Sequence, residues 1–484
     1  MGGGDDALPL GAEARELSKL AAPIMAVSML SFLMVMLDMA MVGRLGTQEL
    51  AASALANTFF NCLQHPMVGC ATALDTLLAQ SHGGGKHVAY GQWAKTGVLT
   101  LLALSVPLAG VLFLTEPILL AMGQDAVLAE RAGVFCRLLV PGVPPFFAFL
   151  GLTKYLQAQS ILAPSVWIAL FANVLNVCLN WLLIYELDLG FEGAPVATSL
   201  SRWAQLLALV LYIYCSRSRH AKTIPELWSD PEGVGFTARA RGFMKFGAPG
   251  ALMLGLEAWS FETTTLLAGL IGVVPLAAHM ILLNTIGFTF LSFPFGLGIA
   301  SSIRVGWLLG AGDAAKAKHC GKVCFILMLG FMVVLSVTKI VMRNHLGKIF
   351  STDPEVIATV ADLIWIAALF QVSDGVQAAV GGILRGMGRQ KLVAGLNFVG
   401  FWLIGIACGS ALAFGADVGV SGLWWGLAAG LTCTAMSGVV LLRRTDWEEE
   451  VRLAQLRVGG DEEEVGGDTT TEPAEPEAAD RVAP

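Results

Sequence analysis

Apolar residues in this chain come in long blocks separated by short polar connections. Six blocks run over residues 20–43, 52–79, 92–114, 130–152, 161–184 and 193–215, and six more over 244–270, 275–302, 321–342, 356–380, 393–413 and 419–442. Coiled as a helix, each is long enough to cross a hydrocarbon layer of roughly 30 Å. The glycines inside them suit helices that pack closely in lipid. One such block could be the core helix of a soluble domain; twelve cannot. The pattern predicts an all-α polytopic membrane protein of twelve transmembrane helices. Composition agrees, because 14% charged residues are too few to cover a soluble chain of 484 residues.

The blocks also repeat. Lys19-Leu20-Ala21-Ala22-Pro23 is matched by Lys245-Phe246-Gly247-Ala248-Pro249, at an offset of 226 residues. Leu45-Gly46 is matched by Ile271-Gly272, Gly83-Gly84-Gly85 by Gly310-Ala311-Gly312, and Tyr155–Ser160 by Ile383–Gly388. Six spans per repeat put both halves in the membrane in the same orientation. The expected architecture is two six-helix lobes related by a pseudo-two-fold axis along the membrane normal, with a cavity between them. The divisions that follow are a cytoplasmic N-terminal segment (1–19), an N-lobe (20–215), an inter-lobe linker (216–243), a C-lobe (244–442) and an acidic tail (443–484).

Charge sets the orientation. Counted over alternate connections, twenty Lys and Arg fall on the side of the N-terminus and six on the other, among them Lys339. By the positive-inside rule both termini are cytoplasmic. The net charge of −7 says little about partners, because much of it sits in the tail. That segment is acidic and rich in Gly, Pro and Thr, and from Trp447 onward it is expected to be disordered. No cleaved leader is expected ahead of the first block. The nine cysteines lie in or at the edge of spans, so neither a disulfide framework nor a metal site is expected. No phosphate-binding GxxxxGK[ST] or nucleophile elbow occurs, and the chain is not expected to be an enzyme or to hold a cofactor.

Chemistry is then sought among polar residues inside the spans, where ionisable groups are costly and mark pathways. Five carboxylates stand out: Asp38 in span 1, Asp75 in span 2, Glu257 and Glu262 in span 7, and Asp374 in span 10. Their counterparts in the other half, Thr264, Ser302, Ser31, Met36 and Phe146, are uncharged, so the fold does not itself demand a carboxylate there. Glu257 and Glu262 lie about 140° apart around a helix, so one of them at most faces a cavity squarely. Neutral polar residues form stripes: Asn173, Asn176 and Asn180 on span 5, Asn57, Asn61 and Gln64 on span 2, and Gln371 and Gln377 flanking Asp374. These are the candidate cavity-lining residues. His65 and His279 are read as neutral hydrogen-bonding residues. Pro66, Pro294 and the group Pro141, Pro144 and Pro145 are expected to bend their spans.

In order and spacing, these residues resemble the multidrug and toxic compound extrusion (MATE) family of eukaryotes. The likeness rests on LDMAMVGRLG (37–46), TALDTLLAQSHGGG (72–85), YLQAQS (155–160), NVLNVCLNWLL (173–183), LEAWSFE (256–262), SSIRVGWLLGAGDAAKAK (301–318) and GGILRGMGRQK (381–391). The resemblance implies efflux of small organic compounds by alternating access, driven by H+ or by Na+, with proton antiport the favoured reading. It places Asp38 and Asn180 at the N-lobe acidic site and Glu257 and Asp374 at the C-lobe acidic pair. Two positions depart from the family pattern: Ala258 replaces an aromatic residue, and Asp75 replaces a glutamate. A lipid-linked precursor flippase of the same superfamily is the alternative, weakened because Arg202 is the single cationic cavity candidate. The partners expected are a small organic substrate and the bilayer, with no nucleic acid, and the chain is expected to be a monomer in a plasma or a vacuolar membrane.

Overall fold

The computed structural model describes residues 8–216 and 235–459, and every regular element within them is a helix. Lipid offers no hydrogen bonds, so a chain this apolar must satisfy its own backbone, and helices do so locally. In the first half the helices are α1 (Leu10–Val42), α2 (Thr47–Ala71), α3 (Ala73–Gly83), α4 (His87–Phe113), α5 (Thr115–Ala121), α6 (Ala126–Leu139), α7 (Val143–Gln157), α8 (Ala163–Trp181) and α9 (Gly193–Cys215). The second half holds α10 (Phe236–Ile271), α11 (Val273–Ser292), α12 (Pro294–Gly310), α13 (Ala314–Val341), α14 (Arg343–Phe350), α15 (Pro354–Gly386), α16 (Gln390–Gly415) and α17 (Val420–Arg444). A last helix, α18, covers Trp447–Gly459.

Ten stretches among the described residues are long and apolar enough to cross a membrane. The pair α2–α3 and the 36-residue α10 are not among them, because both carry the polar positions noted above. Asp125, Asp313 and Asp353 cap α6, α13 and α15 by accepting backbone N–H bonds. Prolines act where a ring blocks the ladder: Pro294 opens α12 after a break at Phe293, and a 3-10 turn at Val140–Gly142 divides α6 from α7. Pro66 behaves differently. It lies inside α2, and the break in that span falls at Thr72 instead.

The backbone repeats along with the sequence. Positive φ angles recur at Gly46 and Gly272 (159° and 156°), Gly85 and Gly312 (66° and 85°), and Ser160 and Gly388 (58° and 81°). These pairs are the ones the sequence offset matches. One apolar core fills the first half around Leu74, Phe147 and Tyr155. A second joins Leu17 and Leu20 of α1 to Leu297 and Ile303 of α12 and to Ile383 of α15, so it spans both halves.

The halves close on each other at one end of the bundle, here called the base. Thr76 Oγ1 donates to Arg385 O (2.5 Å), Gln80 Nε2 to Gly386 O (2.9 Å) and Gln390 Nε2 to Thr76 Oγ1 (2.7 Å). Arg304 holds Glu13 through two bonds of 2.5 and 2.8 Å. Glycine permits this approach: a Cβ at Gly310 would collide with the backbone of Gln80, and one at Gly83 with that of Trp307. Among the described residues, the hydrogen bonds between halves reach from the base to Trp259, whose Nε1 donates to Cys62 O (2.9 Å), and no farther.

Two expected boundaries are corrected. The tail is not disordered from Trp447: α18 forms because Trp447, Val451 and Ala454, spaced four and three residues apart, give it a buried apolar face. Nor does the linker extend to residue 243. Helix α10 already starts at Phe236, and Arg239 and Phe243 are buried in the bundle. The rest of the linker, residues 217–234, and the tail beyond 459 lie outside the described residues.

The close approach at Gly310 is testable. Gly310→Ala is expected to cost about 1–3 kcal/mol through overpacking. Gly330→Ala is expected to be neutral or stabilising, because nothing lies within 4 Å of a Cβ there. Thermal unfolding of the detergent-purified variants compares the two directly.

Candidate functional site

In the first half, Asp38 of α1 is 6% exposed and meets α8 and α9. Its carboxylate accepts from Asn180 Nδ2 at 2.7 Å and from Thr198 Oγ1 at 2.6 Å. Asn176, one helical turn from Asn180, accepts from the same Nδ2 at 3.1 Å, because residues i and i+4 share a face. The buried Arg202 guanidinium lies within electrostatic reach of Asp38 and rests against the rings of Phe60 and Phe146, 5.1 and 5.0 Å from their centroids. Asn173 is buried farther along the helix and bonds back to Ala169 O (2.9 Å).

The second half builds its own cluster from α10, α15 and α16. Asn397 is fully buried and links the three helices. Its Nδ2 donates to Met253 O (3.1 Å) and to Glu257 Oε2 (3.4 Å), and its Oδ1 accepts from Gln377 Nε2 (2.9 Å). One turn from Gln377, Asp374 is 4% exposed. It accepts no hydrogen bond from any described residue, yet it stands within electrostatic reach of both the Glu257 carboxylate and the Lys339 ammonium. Lys339 is itself buried, donating to Thr285 O at 3.4 Å. The charge count had assigned Lys339 to a connection. Its long side chain carries the charge inward from the last turn of α13 instead.

Helix rotation separates the two glutamates. Glu257 joins Asn397 and lies near Asp374, whereas Glu262 faces α2, within electrostatic reach of Cys62. Asp75 belongs to neither cluster. Lys154 clamps it with N–O distances of 2.8 and 2.9 Å, and both side chains are buried. The span 2 stripe is satisfied locally: Asn57 bonds Ser53 O (3.0 Å) and Gln64 bonds Asn61 Oδ1 (2.6 Å). Gln371 is buried with neither amide atom bonded among the described residues. His279 meets Thr265 Oγ1 (3.2 Å) and the Trp424 ring.

Three participants escape a reading of sequence alone. Thr198 is one of several polar residues in its span, beside Ser199, Ser201 and Arg202, Asn397 is a lone asparagine in an apolar stretch, and Lys339 lies at a span end. A lone intramembrane Asn was the available signal for Asn397. It directly precedes the π-helical stretch Phe398–Ile406, and a π turn at Leu182–Glu186 likewise follows Asn180 in the first half. Such widened turns recur at functional sites, because they re-aim neighbouring side chains.

The sequence model of the MatE family matches residues 23–182 and again 249–409, so its two matches start 226 residues apart. The chain belongs to the MatE family. It is 34% identical over 453 residues to mouse multidrug and toxin extrusion protein 2, covering 92% of this chain and 77% of that one. It is 32% identical over 446 residues to Arabidopsis thaliana protein DETOXIFICATION 16, covering 91% and 90%. Its fold superposes on the crystal structure of the eukaryotic MATE transporter AtDTX14 with a TM-score of 0.85, at 29% identity and over 93% and 99% of the two chains. The protein is thus an integral, multi-pass MATE transporter rather than an enzyme.

The Asp75–Lys154 pair generates a stability prediction for this MATE protein. Lys154→Ala leaves a buried carboxylate uncompensated and is expected to cost about 3–5 kcal/mol. The double variant Asp75→Asn/Lys154→Gln removes both charges and is expected to lose less than the single one. Thermal unfolding of the purified variants gives the comparison.

Proposed function

We propose that this protein exports small organic cations in exchange for protons, through twelve spans arranged as two six-helix lobes that alternate access. The duplicated backbone turns and the double family match support the two-lobe reading. The basic bias of the connections supports placing the base on the cytoplasmic side. On that orientation the described state is closed to the cytoplasm, and the inter-lobe cleft faces outward. The relatives' names, extrusion of drugs and toxins, support efflux as the direction.

A single observation carries the coupling site: Asp374 is buried without a hydrogen-bond partner among the described residues and stands within reach of Glu257. Carboxylates so placed titrate as a coupled pair, and a proton on one changes the charge felt by the other. A proton and a cationic substrate then compete for the same carboxylates, and that competition couples the movement of one to the movement of the other. Asn397 ties Glu257 to α15 and α16, so a change of charge at Glu257 is felt by three helices together. Protonation that loosens this junction biases the balance between outward- and inward-facing states. Asp38, by contrast, already has two strong donors, and Arg202 is engaged beside it. The N-lobe cluster is therefore read as the secondary site. A pyrophosphate-binding flippase fits less well, because each cation beside these clusters, Arg202, Lys339 and Arg385, already has a carboxylate within electrostatic reach.

Proteoliposomes with an imposed pH gradient test this reading. Asp374→Asn is expected to reduce pH-driven transport of a fluorescent organic cation more than tenfold while leaving the protein folded. Glu257→Gln is expected to behave alike, and Asp38→Asn to be milder. Normal proton-driven transport by Asp374→Asn would move the coupling site to Asp38 and Asn180. Transport that follows an imposed Na+ gradient at constant pH would replace the proton.

A further inference from the structure

Helix α18 lies across the closed base, and it carries charge on the face that it buries. Beside Trp447, Val451 and Ala454, that face presents Glu450, which is fully buried, and Arg457, 8% exposed. A buried charge needs a partner, and each has one. Arg389 pairs with Glu450. Arg457 Nη1 donates to Met387 O at 2.7 Å and to Gln80 Oε1 at 3.4 Å, and its guanidinium lies 5.7 Å from the Phe246 ring centroid. Met387, Arg389 and Phe246 belong to the second half, whereas Gln80 lies in α3 of the first. At the end of the helix, Val458 stands beside Gly84, again in the first half.

The contacts are unequal. Most of α18 is held by the second half, and only its last turn and a half reaches the first. When the lobes part at the base, α18 can stay with the second half and must let go of Gln80 and Gly84. We propose that α18 is a clasp for the base-closed state: anchored on the C-lobe, it grips α3 through Arg457 and Val458 and opposes opening towards the cytoplasm. The proposal rests on the alternating-access reading above. Contacts made in one state only shift the balance by their whole differential energy, so weakening them should enlarge the base-open population.

The protein carries its own reporter. Cys320 of α13 is fully buried at the base, against Glu13 of α1. Opening the base removes α1 and uncovers the thiol. Purified full-length protein is treated with N-ethylmaleimide, and modification of each cysteine is followed by peptide mass spectrometry. A chain stopped after Asp446 is expected to label at Cys320 about fivefold faster, within the usual range of conformational coupling. Because it also loses Trp447, which packs against Gly321 beside Cys320, this result supports the clasp only together with acceleration in Arg457→Gln. Arg457→Gln, which keeps the helix, is expected to speed labelling about two- to threefold, and Arg457→Lys less. A chain stopped after Gly459 retains α18 and is expected to label at the parent rate.

Gln390→Ala serves as the reference, since it breaks a direct bond between the halves, to Thr76, that does not involve α18. Faster labelling in Gln390→Ala with unchanged labelling in Arg457→Gln overturns the clasp and leaves alternating access standing. No acceleration in either variant overturns base opening, and the clasp with it. Should the shorter truncation fail to fold, Arg457→Gln and its Lys counterpart still decide the matter.

Discussion

A charge taken out of water has to be met by another polar group, and that requirement organises the interior of this protein. The bilayer removes the usual recourse to solvent, so each buried ionisable side chain dictates which helices lie together. Asp75 brings α3 to α7 through Lys154. Glu13 brings α1 to α12 through Arg304. Asp38 gathers α8 and α9 through Asn180 and Thr198. These groups are satisfied, and satisfied charges are structural anchors. Asp374 stands apart because its surroundings supply charge but no hydrogen bond from a described residue. A carboxylate left in that condition gains most from a proton or a cation, which is the reason the proposed coupling site centres on it.

The second constraint is how closely two halves of a membrane protein can approach. There is little hydrophobic drive between helices that are already in lipid, so contact depends on small residues and on specific polar bonds. Gly83 and Gly310 let the backbones of α3 and α12 nearly touch, and Thr76, Gln80 and Gln390 supply the bonds. A seam of this kind is tight without being greasy. It can separate and re-form without exposing a large apolar surface, which suits a gate. The clasp by α18 adds a surface element that is charged enough to leave the seam and apolar enough to hold it.

Function and repeat are related by departure from symmetry. The backbone turns recur between halves with nearly equal φ angles, yet the acidic residues do not recur. The duplicated scaffold supplies corresponding helices and turns, and single acidic residues on one copy or the other set the halves apart. The two clusters differ accordingly: the first centres on one well-bonded aspartate, the second on two carboxylates joined through an asparagine.

The sequence by itself determined that the chain crosses the membrane many times as helices, where the halves correspond, and which carboxylates are out of place in an apolar span. Those features are local, since hydropathy, a fixed offset and the presence of a charge need no knowledge of neighbours. Spacing alone left open which glutamate joins Asp374, and tertiary structure places there the one the family resemblance implied, Glu257, because a helix's rotation depends on all its contacts at once. It also revealed Asn397 as the junction of three helices, moved Lys339 from a connection into the interior, and gave Asp75 its partner. Each is a contact between residues far apart in sequence, which no local pattern records. The docking of α18 lies between these cases. Its apolar spacing at Trp447, Val451 and Ala454 is present in the sequence but overshadowed by acidic composition, and only the surface it meets at the base gives that face something to bury against.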